Sequence, residues 1–340
     1  MTGRVALVVG PTGAAGAPLV QALAREGGWQ IFGLSRSPPG PGAPCTHVAA
    51  DLAEPESCLA ALRRIEPVTH AFYAARAPFA EGGVEDVPAN LKLLRTTLDG
   101  IEATSDRLEH VHLITGIKWY GMHLGPYPTP AREDDPRHLP PNFYYDQQDL
   151  LAARSAAARW SWSSSRPSYI CDAAPDRARN LAAVLGAYAA VCRELHVRLD
   201  FPGTRAGFES LREVTDAGCL AEAVAFLARN RCTGPYNVTN GDAFRWSRIW
   251  PRLADWFGIP CGEPRDLRLA RWMSDKQPVW DRIVERHRLR PHPLQRVAAW
   301  DFGDFVFRQG WDVLSDVGRL RRAGFGGSVD TIAMFERQID

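Results

Sequence analysis

An α/β fold built on a doubly wound parallel sheet is what this sequence predicts, and three observations carry it. A glycine-rich turn joins the first apolar run to a helical segment, five further strand-like runs alternate with helical patterns, and 340 residues at 45% hydrophobic content can bury a sizeable core.

Val5-Ala6-Leu7-Val8-Val9 is a continuous apolar run, as a central parallel strand requires, and it ends at Gly10-Pro11-Thr12-Gly13-Ala14-Ala15-Gly16 before a helix over 17–25. Glycines at 10, 13 and 16 allow a tight turn, close backbone approach to a pyrophosphate, and helix packing on the strand. This strand, turn and helix predict a Rossmann-type dinucleotide site. Residues 31–37 read as the second strand and its exit, where an acidic residue would hold the ribose hydroxyls of NAD. None is present. Arg36, between the hydroxyls of Ser35 and Ser37, suits a ribose 2′-phosphate, so NADPH is the predicted cofactor. A solvated surface charge is the competing reading of Arg36. Val48 to Leu52 reads as the third strand, with Asp51 able to accept from an adenine amine. Val68 to Ala75 is the fourth, with Arg76 at its mouth, His110 to Thr115 the fifth, and Ser161 to Pro167 the sixth. Gly10, Arg36, Asp51, Ala75, Thr115 and Ile170 then fall along the carboxyl edge of the sheet, where such folds bind ligands.

The division this predicts is an NADP-binding domain over 1–170 and a smaller, mainly helical substrate-binding lobe over 171–340, partly interwoven with the first. In that lobe, residues 180–195 and 215–230 carry helical patterns, and 235–239 is a short extended piece. Trp246, Trp250, Trp256, Trp272, Trp280, Trp300 and Trp311 crowd it, and packing between helices accounts for most of them.

Lys+Arg 40 against Asp+Glu 39 gives a net charge of +1, so no global field gathers nucleic acid or anionic membrane. Seven scattered cysteines without Cys-x-x-Cys spacing read as reduced thiols. Residues 1–4 run directly into a strand and no apolar stretch is long enough to span a bilayer, so a cytoplasmic protein is expected. His110 and His112 share a strand face without a third ligand, so no metal site is expected. Glu133-Asp134-Asp135 reads as a solvated turn, and His123 as a loop histidine.

Asn142-Phe143-Tyr144-Tyr145-Asp146-Gln147-Gln148-Asp149 carries the chemistry. In ordinary short-chain dehydrogenases a Tyr-x-x-x-Lys pair shares a helix face and the ammonium lowers the phenol's pKa. Here Asp149 stands four after Tyr145 and Gln148 four after Tyr144. The chain has only three lysines, Lys92, Lys118 and Lys276, and Lys118 lies just past the fifth strand, as a relocated cation would. Between them, residues 121–141 hold six prolines and should form a shaped loop over the site. The helix sequence alone does not choose between Tyr144 and Tyr145.

With Thr115-Gly116-Ile117-Lys118-Trp119-Tyr120, Leu124-Gly125-Pro126 and Asn142-Phe143-Tyr144-Tyr145 in view, the chain resembles the progesterone 5-beta-reductase and iridoid synthase family of extended short-chain dehydrogenases. Arg166-Pro167, Phe201-Pro202-Gly203, residues 236–242, Phe244-Arg245-Trp246, Pro278-Val279-Trp280 and Phe302-Gly303-Asp304 extend the resemblance over nearly the whole chain. Gly121-Met122-His123, inserted before Leu124, makes it similar to the microbial branch. The resemblance implies Tyr145 as the catalytic tyrosine and Lys118 as its partner. It implies cofactor contacts at Thr12, Gly13, Ala14, Arg36, Asp51, Leu52, Thr115 and Ile170, which join Gly10, Gly16, Ser35, Ser37, Ala75 and Tyr145. It places Tyr127 and Phe302 at the substrate, with Trp119 beside them. Arg76 stands where plant members often have an aromatic residue, which admits a polar or anionic substrate group.

The implied chemistry is NADPH-dependent 1,4-reduction of an enone or enal, in which hydride reaches the beta carbon and charge collects on the carbonyl oxygen as an enolate held by Tyr145 and Lys118. One alternative is 1,2-reduction of an aldehyde or ketone, although Gly116 replaces the hydroxyl residue many relatives carry there and leaves Thr115 as the nearest candidate. Another is a non-catalytic NADPH-sensing regulator. The expected partner is a small enone, enal or carbonyl compound, and a homodimer is an admissible assembly.

Overall fold

Apolar runs too short for helices and buried on both faces pair best with one another, and in the computed structural model they form a seven-stranded, wholly parallel sheet. The described residues are 3–80, 84–172, 174 and 179–339. The strands of the first half are β1 (Arg4–Val9), β2 (Trp29–Ser35), β3 (Thr46–Ala49), β4 (His70–Tyr73), β5 (His110–Ile114) and β6 (Ser161–Pro167). Their order across the sheet is β6-β5-β4-β1-β2-β3, with a seventh strand, Gly234–Val238, outside β6. Sequence periodicity shows that last segment only as an extended piece among helices. Its pairing partner lies some seventy residues upstream, so only the tertiary fold assigns it.

Helices α1 (Gly16–Glu26), α2 (Pro55–Leu62), α3 (Val87–Thr104) and α4 (Phe143–Ala156) make the crossovers. The direction of winding reverses between β1 and β4, and the cleft above their carboxyl ends is where Gly10 meets the backbone of Ala74 and Ala75. On one face α2 and α3 bury Leu62, Leu94, Leu98 and Ile101 against Val5, Leu7 and Val9. On the other, α1 and the helix Ala217–Arg229 bury Leu19, Leu23, Leu220 and Val224 against Ala6 and Val8.

Beneath the cleft the sheet carries a polar ladder. His110 hydrogen-bonds Ser161 and Ser163 at 2.9 and 2.8 Å, and His112 bonds Ser163 and Ser165 at 2.8 and 3.1 Å. Residue spacing of two puts all five on one face of adjacent strands. Burial pushes the His110 and His112 imidazoles down to about 2 and about 3. Among the described residues no group of three His, Cys, Asp or Glu side chains could hold a metal ion, and no helix is long and apolar enough to cross a membrane.

The second half packs its own aromatic core. Trp246 and Trp250 are fully buried against Phe201 and Phe307 at ring separations of 5.0–6.3 Å, and the Trp250 Nε1–H donates to Leu199 O. These tryptophans fill the space between helices, as buried area alone favours.

Candidate active site

The glycine turn does what its spacing requires. Gly10 sits at φ +85°, a left-handed backbone that favours glycine, and its N–H donates to Leu34 O. A Cβ on Gly16 would lie 2.0 Å from Gly10 O, so helix α1 approaches β1 only because that position has no side chain. The cleft so formed is a cavity of about 430 Å³ walled by Gly10, Thr12, Gly13, Ser35, Arg36, Ser37, Asp51, Leu52, Ala75 and Arg76 among the expected residues. Ala14, Gly16, Thr115 and Ile170 are not in its wall. The wall fits a dinucleotide: backbone with no side chain at the helix N-terminus, a carboxylate at Asp51, and an exposed guanidinium at Arg36 beside the hydroxyl of Ser35. The Ser35 hydroxyl donates to Ser37 O at 2.8 Å, and Asp51 accepts from the Ala53 N–H at 2.9 Å, so this rim is pre-formed.

At the sheet's next step outward, four segments meet. Gly116 ends β5, and a single 3₁₀ turn, Ile117–Tyr120, carries Lys118. Lys118 Nζ donates to Glu85 Oε1 at 2.9 Å, and the same oxygen lies 3.8 Å from Arg76 Nη2 at the exit of β4. Glu85 pairs across an antiparallel bridge with Phe79. Arg76 rests 4.1 Å above the Phe79 ring. Nothing in the spacing of the sequence announced Glu85, since its carboxylate acquires meaning only beside two cations from other segments.

Asn142 ties the Lys118 turn to the helix that carries Tyr144 and Tyr145. Its Oδ1 accepts from the Tyr144 N–H at 3.1 Å, capping α4, while its Nδ2 donates to Lys118 O at 3.0 Å. It is 5% exposed. An Asn before a helical run is a readable cap signal, although its second bond is not.

Adjacent residues of a helix project about 100° apart, so Tyr144 and Tyr145 cannot both face the cleft. The structure gives the two tyrosines different surroundings. The Tyr145 hydroxyl donates to Trp119 O at 2.6 Å and accepts from the His138 N–H at 3.0 Å, and its ring packs edge-on against Trp119 at 4.7 Å. Both of its hydrogen-bonding directions end on backbone. Tyr144 instead lies beside the extended backbone of Gly116, where a Cβ would be 3.3 Å from its hydroxyl oxygen, and no described residue hydrogen-bonds that hydroxyl. The electrostatic neighbours of Tyr144 are Glu85, Arg76 and Arg179. Burial first, and Glu85 second, push its phenol up to about 12, so it is a neutral donor at ordinary pH.

Neither residue four places on stands in for the missing lysine. Asp149 is exposed and pairs with Arg137, which ties the proline-rich segment to α4. Gln148 accepts from the buried Arg166, whose guanidinium also bonds Tyr120 at 2.9 Å and covers the Trp119 ring at 3.8 Å. Trp119, expected at the substrate, is therefore a core residue, 3% exposed between Arg166 and Tyr145. Thr115 is also engaged, its hydroxyl donating to Ser165 O at 2.8 Å. Tyr127 stacks on Tyr120, and Phe302 packs against Tyr169 with its other neighbour Arg179, 5.5 Å from the ring. The proline-rich loop is a brace as well as a cover: Glu133 accepts from the Asn237 N–H at 2.8 Å and Ala131 from the Asn237 amide at 2.9 Å. His123 is half-buried within electrostatic reach of Lys118 and Glu85, and burial lowers its pKa.

Comparison with known proteins identifies the family. A model of the PRISE-like Rossmann-fold domain matches residues 50–305. (S)-8-oxocitronellyl enol synthase of Catharanthus roseus is 31% identical, aligned over 99% of this chain and 90% of that relative. The short chain dehydrogenase gsfE of Penicillium aethiopicum is 32% identical over 80% and 78%. Among solved structures, UDP-glucose 4-epimerase from Thermus thermophilus with NAD superposes at a TM-score of 0.68 and 17% identity, covering 99% of this chain and 98% of that one. RMD from Pseudomonas aeruginosa with NADPH gives 0.68 and 17%, covering 99% and 96%. With the glycine cleft, the Lys118 turn and the Phe-Tyr-Tyr helix in place, this chain belongs to the PRISE-like Rossmann-fold family and is an oxidoreductase of the short-chain dehydrogenase type.

Proposed function

We propose that this protein is an NADPH-dependent reductase of activated C=C bonds in enones or enals, with Tyr144 in the role first expected of Tyr145 and Lys118 as the adjoining cation. The observation that carries the reading is the Tyr144 hydroxyl, without a hydrogen-bond partner among the described residues and beside Gly116, next to the Lys118–Glu85 pair.

A reduced nicotinamide, when bound in the cleft, would supply the hydride to the β carbon. The chain's own task is to hold the substrate carbonyl oxygen, onto which the carbonyl π pair moves as the C=C pair shifts toward the carbonyl carbon to give an enolate. A neutral phenol donates one hydrogen bond to that oxygen, and Lys118 adds a positive charge beside it. Glu85 anchors Lys118, and Asn142 fixes the backbones of both segments. A phenol held up near 12 favours donating to an enolate over ionising to serve as a base. Gly116 leaves no side-chain hydroxyl beside Tyr144 for the alkoxide chemistry of simple carbonyl reduction. A name such as enol synthase among the relatives supports the same course, because protonating that enolate on oxygen yields an enol. The absence of an acidic residue after β2, together with the exposed Arg36 at the cavity rim, supports NADPH over NADH.

The test is NADPH consumption against enals, cyclic enones and aldehydes, with products identified. Saturated carbonyls or their enols support the reading. Allylic alcohols would replace it with 1,2-reduction, and cofactor binding without consumption of NADPH across the panel would overturn it.

A further inference from the structure

Among the described residues, the charge around Tyr144 is unbalanced. Lys118, Arg76 and Arg179 converge on this corner, and Glu85 is the carboxylate paired with the first two. Arg179 has no ion pair with any described residue. Its guanidinium lies 5.3 Å from the Phe79 ring that Arg76 also covers, at 4.1 Å, and 5.5 Å from Phe302. Two guanidinium groups thus share one aromatic ring at the edge of an apolar wall. Like charges held together repel, and burial first, then the neighbouring Arg76, depresses the pKa of Arg179. An anion received between them removes that repulsion, and planar guanidinium groups are the side chains best matched to a carboxylate.

From this arrangement we infer that the substrate is amphipathic and anionic: an apolar enone or enal whose far end carries a carboxylate, received by Arg179 and Arg76 over Phe79 while Phe302 covers the hydrocarbon. The inference rests on the reductase reading and specifies its substrate class. Arg179 decides specificity, because Arg76 also borders the cofactor cavity and contacts Glu85.

The experiment compares 7-oxo-5-octenoic acid with its primary amide, which has nearly the same shape and no charge. In the full-length protein with NADPH, kcat/KM for the acid should exceed that for the amide about tenfold or more. Arg179→Gln should bring that ratio near one, chiefly through KM for the acid, and Arg179→Lys should restore part of it. A ratio near or below one in the wild type, or a ratio unmoved by Arg179→Gln, overturns the inference. Should neither compound be reduced, the same ratio is read from their binding to the NADP⁺-loaded protein by tryptophan fluorescence. Failure of reduction then counts against the reductase reading, and only the binding ratio counts for or against the anion site. Folding of each variant is checked by its thermal midpoint, and the lysine variant keeps the test meaningful should glutamine destabilise the segment.

Discussion

At the glycine cleft the site is formed by backbone and by what side chains leave out, whereas at the charged corner it is formed by side chains from separate segments that meet only in the fold. Gly10 and Gly16 work by lacking a Cβ, and they lie within one turn of chain. Lys118, Glu85, Arg76 and Tyr144 bring together opposing charge and a hydroxyl with no hydrogen-bond partner among the described residues, and they come from β5's exit, the approach to α3, β4's exit and α4. The first kind of site tolerates no added atoms, and the second tolerates no lost ones.

The comparison breaks most visibly at the glycines. Gly16→Val puts carbon atoms into Gly10 O, and we expect loss of measurable NADPH binding by fluorescence titration together with a lower thermal midpoint. At the corner, Tyr144→Phe should lower turnover on the order of a hundredfold, as removal of one oxyanion donor does. Tyr145→Phe, which strands the backbone groups of Trp119 and His138, should mainly lower stability, by roughly 1–3 kcal/mol in urea melts. If Tyr145→Phe lost the turnover and Tyr144→Phe kept it, the assignment within the pair would be reversed.

The sheet beneath both regions should fail first in acid. His70, His110 and His112 are held neutral by burial at about 4, 2 and 3, against an unfolded value near 6.5. The unfolded chain therefore binds more protons once pH drops below about 6.5. Stability should be full above that value and fall as pH drops toward 4 and beyond, by several kcal/mol, on the linkage between proton uptake and unfolding. Urea midpoints from pH 7.5 to 4.5 measure it, and a flat profile would contradict the buried neutral ladder.

Smaller effects sharpen the contrast. Arg36→Ala should cut the NADPH-over-NADH preference about tenfold, the loss expected of one charge-assisted phosphate contact. Asn142→Ala should cost about 1 kcal/mol for the lost cap, and turnover should fall with it because the Lys118 backbone is released.

How far the sequence could be read follows the same division. The strand, glycine turn and helix were legible because their signals are local: apolar runs of strand length, and glycines where a backbone must pass close. Lys118 was legible because lysine is rare in this chain and the usual position four after the tyrosine holds none. Trp119 was expected at the substrate, and an aromatic residue next to a lysine reads the same in sequence whether it faces substrate or core; in the structure Arg166 covers its ring and Tyr145 packs edge-on against it. Glu85 and Arg179 carried no signal, since an isolated charge in a loop has no meaning until its partners are known.

By itself, then, the sequence determined the sheet, the glycine cleft and the cation beyond β5, because spacing along one segment sufficed. Tertiary structure decided how the two adjacent tyrosines are placed, Tyr145 bonded to backbone and Tyr144 beside Gly116, and which cations surround the second. Rotation about a helix axis is set by what packs against the helix, and the strength of a charge depends on neighbours distant in the chain.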